Sequence, residues 1–109
     1  MVDNQLLLLP IVRQDIRDAL VWTKERFGAV KASEYSTLTR IALRALATNP
    51  QSGKRRPEIH PDAWVYPIRR AGRPARHLFL YEIVGRRAHI YGFLYDGMDL
   101  PQQWLVRKQ

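Results

Sequence analysis

The sequence HLFLYEIVGRRAHIYGFLY, at residues 77–95, decides the fold. Apolar and aromatic side chains recur at alternate positions through 77–84 and again through 87–95, and this period of two is typical of β-strands. Gly85–Arg86 separates the two runs and has the length and the leading glycine of a two-residue hairpin turn. The stretch therefore predicts an antiparallel β-hairpin.

The same alternation predicts which side chains share a face of this hairpin. In the first strand, one face carries His77, Phe79, Tyr81 and Ile83, and the other carries Leu78, Leu80, Glu82 and Val84. In the second strand, one face carries Ala88, Ile90, Gly92 and Leu94, and the other carries His89, Tyr91, Phe93 and Tyr95. We expect helices to cover one face of the sheet. The other face, where basic and aromatic residues interleave, is expected to be left for a partner.

A third strand is predicted immediately upstream. Residues 64–69 alternate, with Trp64, Tyr66 and Ile68 on one face. Residues 70–76 contain Gly72 and Pro74 and are predicted to connect this strand to the next, which completes an antiparallel meander. Residues 51–62 are polar and rich in proline, and we expect them to form a mobile loop.

The N-terminal half changes period. Leu6 to Leu9 form a short apolar run that predicts a buried strand, and Pro10 ends it. Apolar residues at three- and four-residue steps, among them Phe27 and Ile41, then predict two helices whose apolar stripes face the core, at about 12–27 and from 30 or 31 to 47. Gly28 lies at their junction, so the two should fold back as a helical hairpin. Residues 99–106 are expected to form a last short helix.

These elements predict an α+β fold of one domain spanning residues 1–109, in the order β-α-α-β-β-β with a short C-terminal helix. An N-terminal strand and a helical hairpin pack on one face of an antiparallel sheet, since a sheet and amphipathic helices must bury their apolar faces against each other. The 109 residues suffice for one modest core.

The charge of the chain favours an anionic partner. Lys and Arg number 18 against 10 Asp and Glu, a net charge of +8. Most of the excess lies within residues 51–95. With no cysteine, disulfides and thiolate metal sites are excluded. Three histidines without a common spacing predict no metal site, and no cofactor is expected. No apolar run approaches the length of a membrane span, and the first run lacks the flanks of a signal peptide, so a cytoplasmic protein is predicted.

Several stretches resemble the RelE/ParE superfamily of bacterial type II toxins. Arg26–Phe27–Gly28 at the helix junction, RHLFLY at residues 76–81 and IYGFLYDGMD at residues 90–99 are similar to the family's motifs in the same order. The resemblance covers about residues 5–105. Met98–Asp99 and the arginine-rich composition are closer to the ParE branch than to the RelE branch.

The resemblance implies that the chain is a toxin silenced by a cognate antitoxin. The antitoxin is expected to be an acidic protein that forms a hetero-oligomer with the toxin. ParE toxins act on DNA gyrase, whereas RelE toxins cut mRNA on the ribosome. Gly92 stands where the family often has arginine, and Tyr95 where it often has histidine. We therefore expect a gyrase inhibitor that is not an enzyme. A RelE-like endoribonuclease is the alternative, and a non-toxic basic module that binds nucleic acid is a third interpretation.

The candidate site residues depend on which interpretation holds. Cutting RNA without a metal needs a cation for the phosphate, a base and an acid. If the chain is a nuclease, the catalytic candidates are Arg76, His77 and Tyr95. Arg76 or another of the nearby arginines supplies the cation, His77, His89 and Tyr95 can transfer protons, and Tyr95 is expected to be the acid. For contact with a target or an antitoxin, the candidates cluster around one strand–strand connection: Arg69, Arg70, Arg73 and Arg76.

Overall fold

The computed structural model of the chain describes residues 6–70 and 73–108, except for the side chains of 73–75. The strands are β1 (Leu6–Leu8), β2 (Lys54–Arg55), β3 (Trp64–Arg70), β4 (Arg73–Val84) and β5 (Arg87–Tyr95). The helices are α1 (Pro10–Phe27), α2 (Ala29–Thr48) and α3 (Leu100–Lys108). Within these residues the strands form one sheet in the order β1-β5-β4-β3-β2. The predicted α+β class and element order are confirmed.

The β4–β5 hairpin forms the centre of the sheet. Val84 pairs with Arg87 across the two-residue turn, and Gly85 has a φ of +65°, a value that glycine adopts without a steric penalty. On the far side of β5, β1 adds in parallel, with Leu6 opposite Ala88. The sheet is therefore mixed, with an antiparallel meander and one parallel edge strand.

A β-bulge in β5 makes the predicted faces of that strand wrong beyond Ile90. Leu80 pairs with Gly92 and Tyr81 with Ile90, so Tyr91 is the additional residue on β5. Because a bulge shifts the alternation by one position, Phe93 joins Ile90 on the face that the helical hairpin covers.

The helices α1 and α2 form the predicted hairpin and cover one face of the sheet. Gly28 alone separates them and has a φ of +93°. α1 begins two residues earlier than predicted because Pro10 occupies its first turn, where a missing N–H costs nothing. Phe27 and Ile41, predicted to face the core, are 61% and 58% exposed. The core between the hairpin and the sheet includes Val12, Ala19, Tyr35, Ala42, Leu46, Ile68, Phe79, Tyr81, Ile90 and Phe93.

The opposite face of the sheet is not left open as predicted. α3 packs across it through Leu100 and Trp104, which contribute to a second apolar cluster with sheet residues such as Leu80 and Tyr91. Ile59, from the segment before β3, joins the same cluster. The alternating apolar residues on this face therefore belong to a core of their own.

Two segments predicted to be loops are more regular than expected. Pro50–Ser52 form a 3₁₀ turn and β2 follows it at the edge of β3. The Tyr81 hydroxyl holds this turn against the sheet, since it donates to the Pro50 carbonyl at 2.6 Å and accepts from the Gly53 N–H at 3.2 Å. The predicted 70–76 connection is mostly strand, because β4 begins at Arg73, opposite Arg70.

Candidate functional site

An open cleft of about 550 Å³ lies between α1 and the ends of β4 and β5. Its apolar lining comes from buried residues on both sides, including Ala19 of α1 and Phe93 and Leu94 of β5. Exposed aromatic and cationic side chains stand at its mouth, namely Trp22, Arg26, Arg76 and Tyr95. Such a concave surface with convergent polar groups is the usual form of a binding site.

Two of the predicted site residues meet at the mouth of this cleft. Arg76 donates a hydrogen bond from Nη2 to the Tyr95 hydroxyl. Its guanidinium carbon also lies 4.6 Å from the centre of the Tyr95 ring, within the range of a cation–π contact. Both side chains are exposed, so the pair presents a positive charge and an aromatic surface to solvent.

His77 lies beside this pair but is held by its neighbours. Its ring stacks on Phe93, with centroids 4.9 Å apart, and its Nδ1 lies 2.7 Å from the Tyr35 hydroxyl. Burial lowers the pKa of His77 below its usual 6.5, which keeps the imidazole neutral at pH 7. Burial also raises the pKa of Tyr35 to about 12. We therefore assign Tyr35 as the donor and His77 Nδ1 as the acceptor.

This neutral His77 gives a pH dependence of stability. Its pKa is lower in the folded protein than in the unfolded chain. The unfolded chain therefore binds more protons once the pH falls below about 6.5, and the free energy of unfolding decreases as the pH drops from 7.5 to 5.5. Urea denaturation at the two pH values measures the decrease. The variant His77→Gln does not titrate and should show a smaller one; an equal decrease in the variant would contradict the assignment.

A largely buried ion pair contributes to the lining of the cleft. Arg107 of α3 reaches Asp15 of α1, with Nη1 2.6 Å from Oδ2, and the two side chains are only 11% and 13% exposed. Asp15 Oδ2 also accepts the backbone N–H of Phe93 at 3.1 Å. The Asp15 carboxylate thus gives the Phe93 N–H a hydrogen-bond partner on the part of the β5 edge that β1 does not cover. Through the ion pair, α1 and α3 are both attached to this edge of the sheet.

The structure explains why residue 92 is a glycine, which the family resemblance did not. A Cβ at this position would lie 2.9 Å from Leu94 Cγ and 3.2 Å from Arg107 Nη1. A side chain here would therefore press on Leu94 and would also push the Arg107 guanidinium, which pairs with Asp15, by a few tenths of an ångström. The departure from the family's arginine accommodates this ion pair.

The arginines of the predicted cluster differ in their surroundings. Arg70 lies 3.8 Å from Glu34 of α2, so part of its charge is already offset. Arg69 is exposed near the end of β3, and Arg76 faces the cleft. The side chain of Arg73 lies outside the described residues.

Neither metal chemistry nor a membrane span is indicated by the described residues. Across 6–70 and 73–108, no three histidine or acidic side chains are grouped so that they could hold a metal ion. In the same ranges, no helix combines the length and apolar character needed to cross a membrane.

Several residues that build the cleft could not be predicted from the sequence. Asp15 and Arg107 are 92 positions apart and carry no local pattern that links them. Trp22 could have been predicted as a surface-site residue from the sequence. A tryptophan that lies off the apolar stripe of α1 is either exposed or in contact with another part of the protein. It is 45% exposed, and Arg26 lies over its ring at 5.1 Å.

The chain thus combines a helical hairpin on an antiparallel meander with an arginine- and aromatic-lined cleft at the end of the last strand. The sequence model of one family, described as the ParE toxin of the type II toxin-antitoxin system parDE, matches residues 6–100. The chain belongs to this family of type II toxins, and membership implies an antitoxin protein as its partner. A search of the curated proteins finds no relative that matches the chain.

Proposed function

We propose that the chain inhibits DNA gyrase by binding to it in the cytoplasm, and that a cognate acidic antitoxin neutralises it in a hetero-oligomer. Residues 1–109 act as one toxin domain in this proposal. Membership of the ParE family supports it, because the resemblance to ParE toxins implies action on gyrase. The arginines Arg69, Arg70, Arg73 and Arg76 are proposed to contact the target or the antitoxin.

The surroundings of His77 are the observation that carries this proposal. A catalytic base must reach the proton that it removes. The Nδ1 lone pair of His77 accepts from the Tyr35 hydroxyl, so the neutral ring carries its proton on Nε2 and has no free lone pair to act as a base; Phe93 also covers one face of the ring. The imidazole therefore contributes to packing, while Arg76 and Tyr95 present a charge and a ring suited to recognition. This arrangement supports a binding function over a catalytic one.

The alternative is a RelE-like endoribonuclease that cuts mRNA on the ribosome. The contact between Arg76 and Tyr95, with His77 adjacent, favours it. In that mechanism Arg76 holds the charge that develops on the phosphate, His77 removes the 2′-hydroxyl proton and Tyr95 protonates the departing oxygen.

The variant Tyr95→Phe separates the two functions. It keeps the ring under Arg76 but removes the hydroxyl that accepts the hydrogen bond. For a gyrase inhibitor, we expect the loss of one hydrogen bond, worth about 0.5–1.5 kcal/mol, so inhibition weakens by about tenfold or less. A proton-transfer role would instead cost about 10²–10⁴ in cleavage rate. The concentration for half-inhibition of supercoiling by purified gyrase measures the first effect.

The matched control for this experiment is Tyr66→Phe, which removes a hydroxyl from a half-buried tyrosine on β3. It should leave the inhibition of gyrase unchanged. Cleavage of ribosome-bound mRNA by the wild-type protein, abolished in Tyr95→Phe but retained in Tyr66→Phe, would establish the alternative in place of the proposal.

A further inference from the structure

The solvent face of α2 carries hydroxyl and guanidinium groups in one row. Ser33, Thr37, Arg40 and Arg44 follow one another at steps of four, three and four residues, so they lie on the same side of the helix. All four are exposed. Glu34 is the one acidic residue of α2, whereas α1 contains three. The row therefore presents hydroxyls and positive charge to solvent with little acidic charge beside them.

Arg40 is held in this row by two hydroxyls. Its Nη1 donates to Ser36 Oγ at 3.1 Å and its Nη2 donates to Thr37 Oγ1 at 3.3 Å. These bonds use two of the five N–H groups of a guanidinium, and the others can donate to a ligand. In the part of the chain that the structure describes, no carboxylate lies at ion-pair distance from Arg40 or Arg44. The charge of the two arginines is therefore not offset there by an acidic partner.

An open groove of about 560 Å³ adjoins the row, between α2 and the end of β3. Ser33 and Thr37 line the groove and so belong to both surfaces, and Lys31 and Arg70 add two cations to it. Glu34 lies 3.8 Å from each of these cations. All three side chains are about half exposed, and ion pairs with that exposure contribute little in water. The row and the groove together therefore set four cations against one carboxylate.

The chemistry of this surface fits a phosphate backbone. Arginine, lysine, serine and threonine are the side chains that commonly donate hydrogen bonds to the phosphates of DNA, and all four types are present. Among the described residues that line the groove, Leu38 alone is apolar. A protein segment would thus find few of the apolar anchor sites on which protein interfaces depend. The surface therefore favours a nucleic acid over a protein segment.

We propose that the row and the groove, together the α2 surface, bind the phosphodiester backbone of duplex DNA. The α2 surface consists of Lys31, Ser33, Thr37, Arg40, Arg44 and Arg70. The inference rests on the proposed inhibition of gyrase, because gyrase acts on DNA. It adds a second contact to that function: the toxin holds the DNA that gyrase presents as well as gyrase itself.

Neutralising two of the arginines tests the inference. The probe is a fluorescent duplex of about 20 base pairs, measured by anisotropy without gyrase. The variant Arg40→Gln/Arg44→Gln loses two phosphate contacts, so Kd at about 0.1 M salt should rise at least about tenfold. The slope of log Kd against log salt concentration should fall by about 1.8, at about 0.9 for each phosphate. The matched control Arg13→Gln/Arg17→Gln removes the same charge at the same spacing from exposed positions on α1, and it should change Kd by less than about threefold.

The variant Glu34→Gln should have the opposite effect. It removes the one carboxylate of the groove and leaves Lys31 and Arg70 to the phosphates, so Kd for the duplex should fall by about threefold or more. A purely structural role for these residues predicts no such gain. Titration of the wild-type toxin with the duplex, followed by NMR, does not depend on how the variants fold. It should shift the amide signals of residues 33–44 more than those of residues 10–20.

Four outcomes with the free duplex would each overturn the proposal: no binding by the wild type, equal losses in the two double variants, weaker binding by Glu34→Gln, or tighter binding of a duplex RNA of the same length. Inhibition of supercoiling that Arg40→Gln/Arg44→Gln leaves unchanged would also overturn it. A wild-type toxin that binds the duplex but does not inhibit gyrase would instead contradict the proposed function, so the two failures are distinguishable.

Discussion

Replacing Asp15 by alanine lowers the free energy of unfolding by about 3 kcal/mol, the lower end of the range for breaking a buried ion pair, because both side chains of the pair keep some contact with solvent. The Asp15 carboxylate holds Arg107 at 2.6 Å and accepts the Phe93 N–H at 3.1 Å. Its removal leaves the Arg107 cation and the Phe93 donor without this partner. Because α3 loses its tie to α1, we also expect faster hydrogen exchange throughout α3. Urea denaturation measures the first effect.

The neighbouring variant Asp18→Ala is the control for this prediction. Asp18 is exposed and accepts a surface hydrogen bond from Gln14, so its loss should change stability by less than about 0.5 kcal/mol. The double variant Asp15→Ala/Arg107→Met should be less destabilised than the sum of its two single variants, since it leaves no unpaired charge. Equal costs for Asp15→Ala and Asp18→Ala would contradict the role given to the pair.

Replacing Trp104 by alanine costs about 3–5 kcal/mol, the range for removing a fully buried tryptophan. Trp104 is 1% exposed and attaches α3 to the sheet. Its ring contacts Tyr91 edge to face at 5.3 Å and stacks on His60 at 5.1 Å. The substitution therefore opens a cavity in the second core and should destabilise α3 most.

Trp22→Ala is the matched comparison, because it removes the same side chain from a site that is 45% exposed. Its effect on stability should stay within about 1 kcal/mol, the worth of an exposed cation–π contact. Thermal denaturation followed by circular dichroism compares the two variants. A Trp104→Ala variant as stable as Trp22→Ala would mean that α3 does not hold the second face of the sheet.

The fold was largely predictable because its periodic elements are strong. Three features depend only on neighbouring residues and can be predicted without the structure. They are the alternation through 77–84, the turn that begins with Gly85 and the glycine at the helix junction. The bulge at Tyr91 could not be predicted, since it depends on how β5 pairs with Leu80 and Tyr81. The packing of α3 was missed because nine residues carry too short a pattern to reveal which face they bury.

The candidate site was predictable only in part. Arg76, His77 and Tyr95 were selected from the sequence, and His77 and Tyr95 are paired opposite each other in the sheet. The partners that set their chemistry, Tyr35 and Phe93, come from another helix and from a strand whose alternation the bulge had shifted. Whether His77 acts as a base or only packs depends on these two neighbours, and they come close to His77 only in the tertiary structure.

Supercoiling of relaxed plasmid by purified gyrase in the presence of the purified chain tests the proposed function most directly. We expect dose-dependent loss of supercoiling that the antitoxin reverses, while mRNA on translating ribosomes stays intact at the same toxin concentration. Undiminished supercoiling together with codon-positioned cleavage of ribosome-bound mRNA would contradict it.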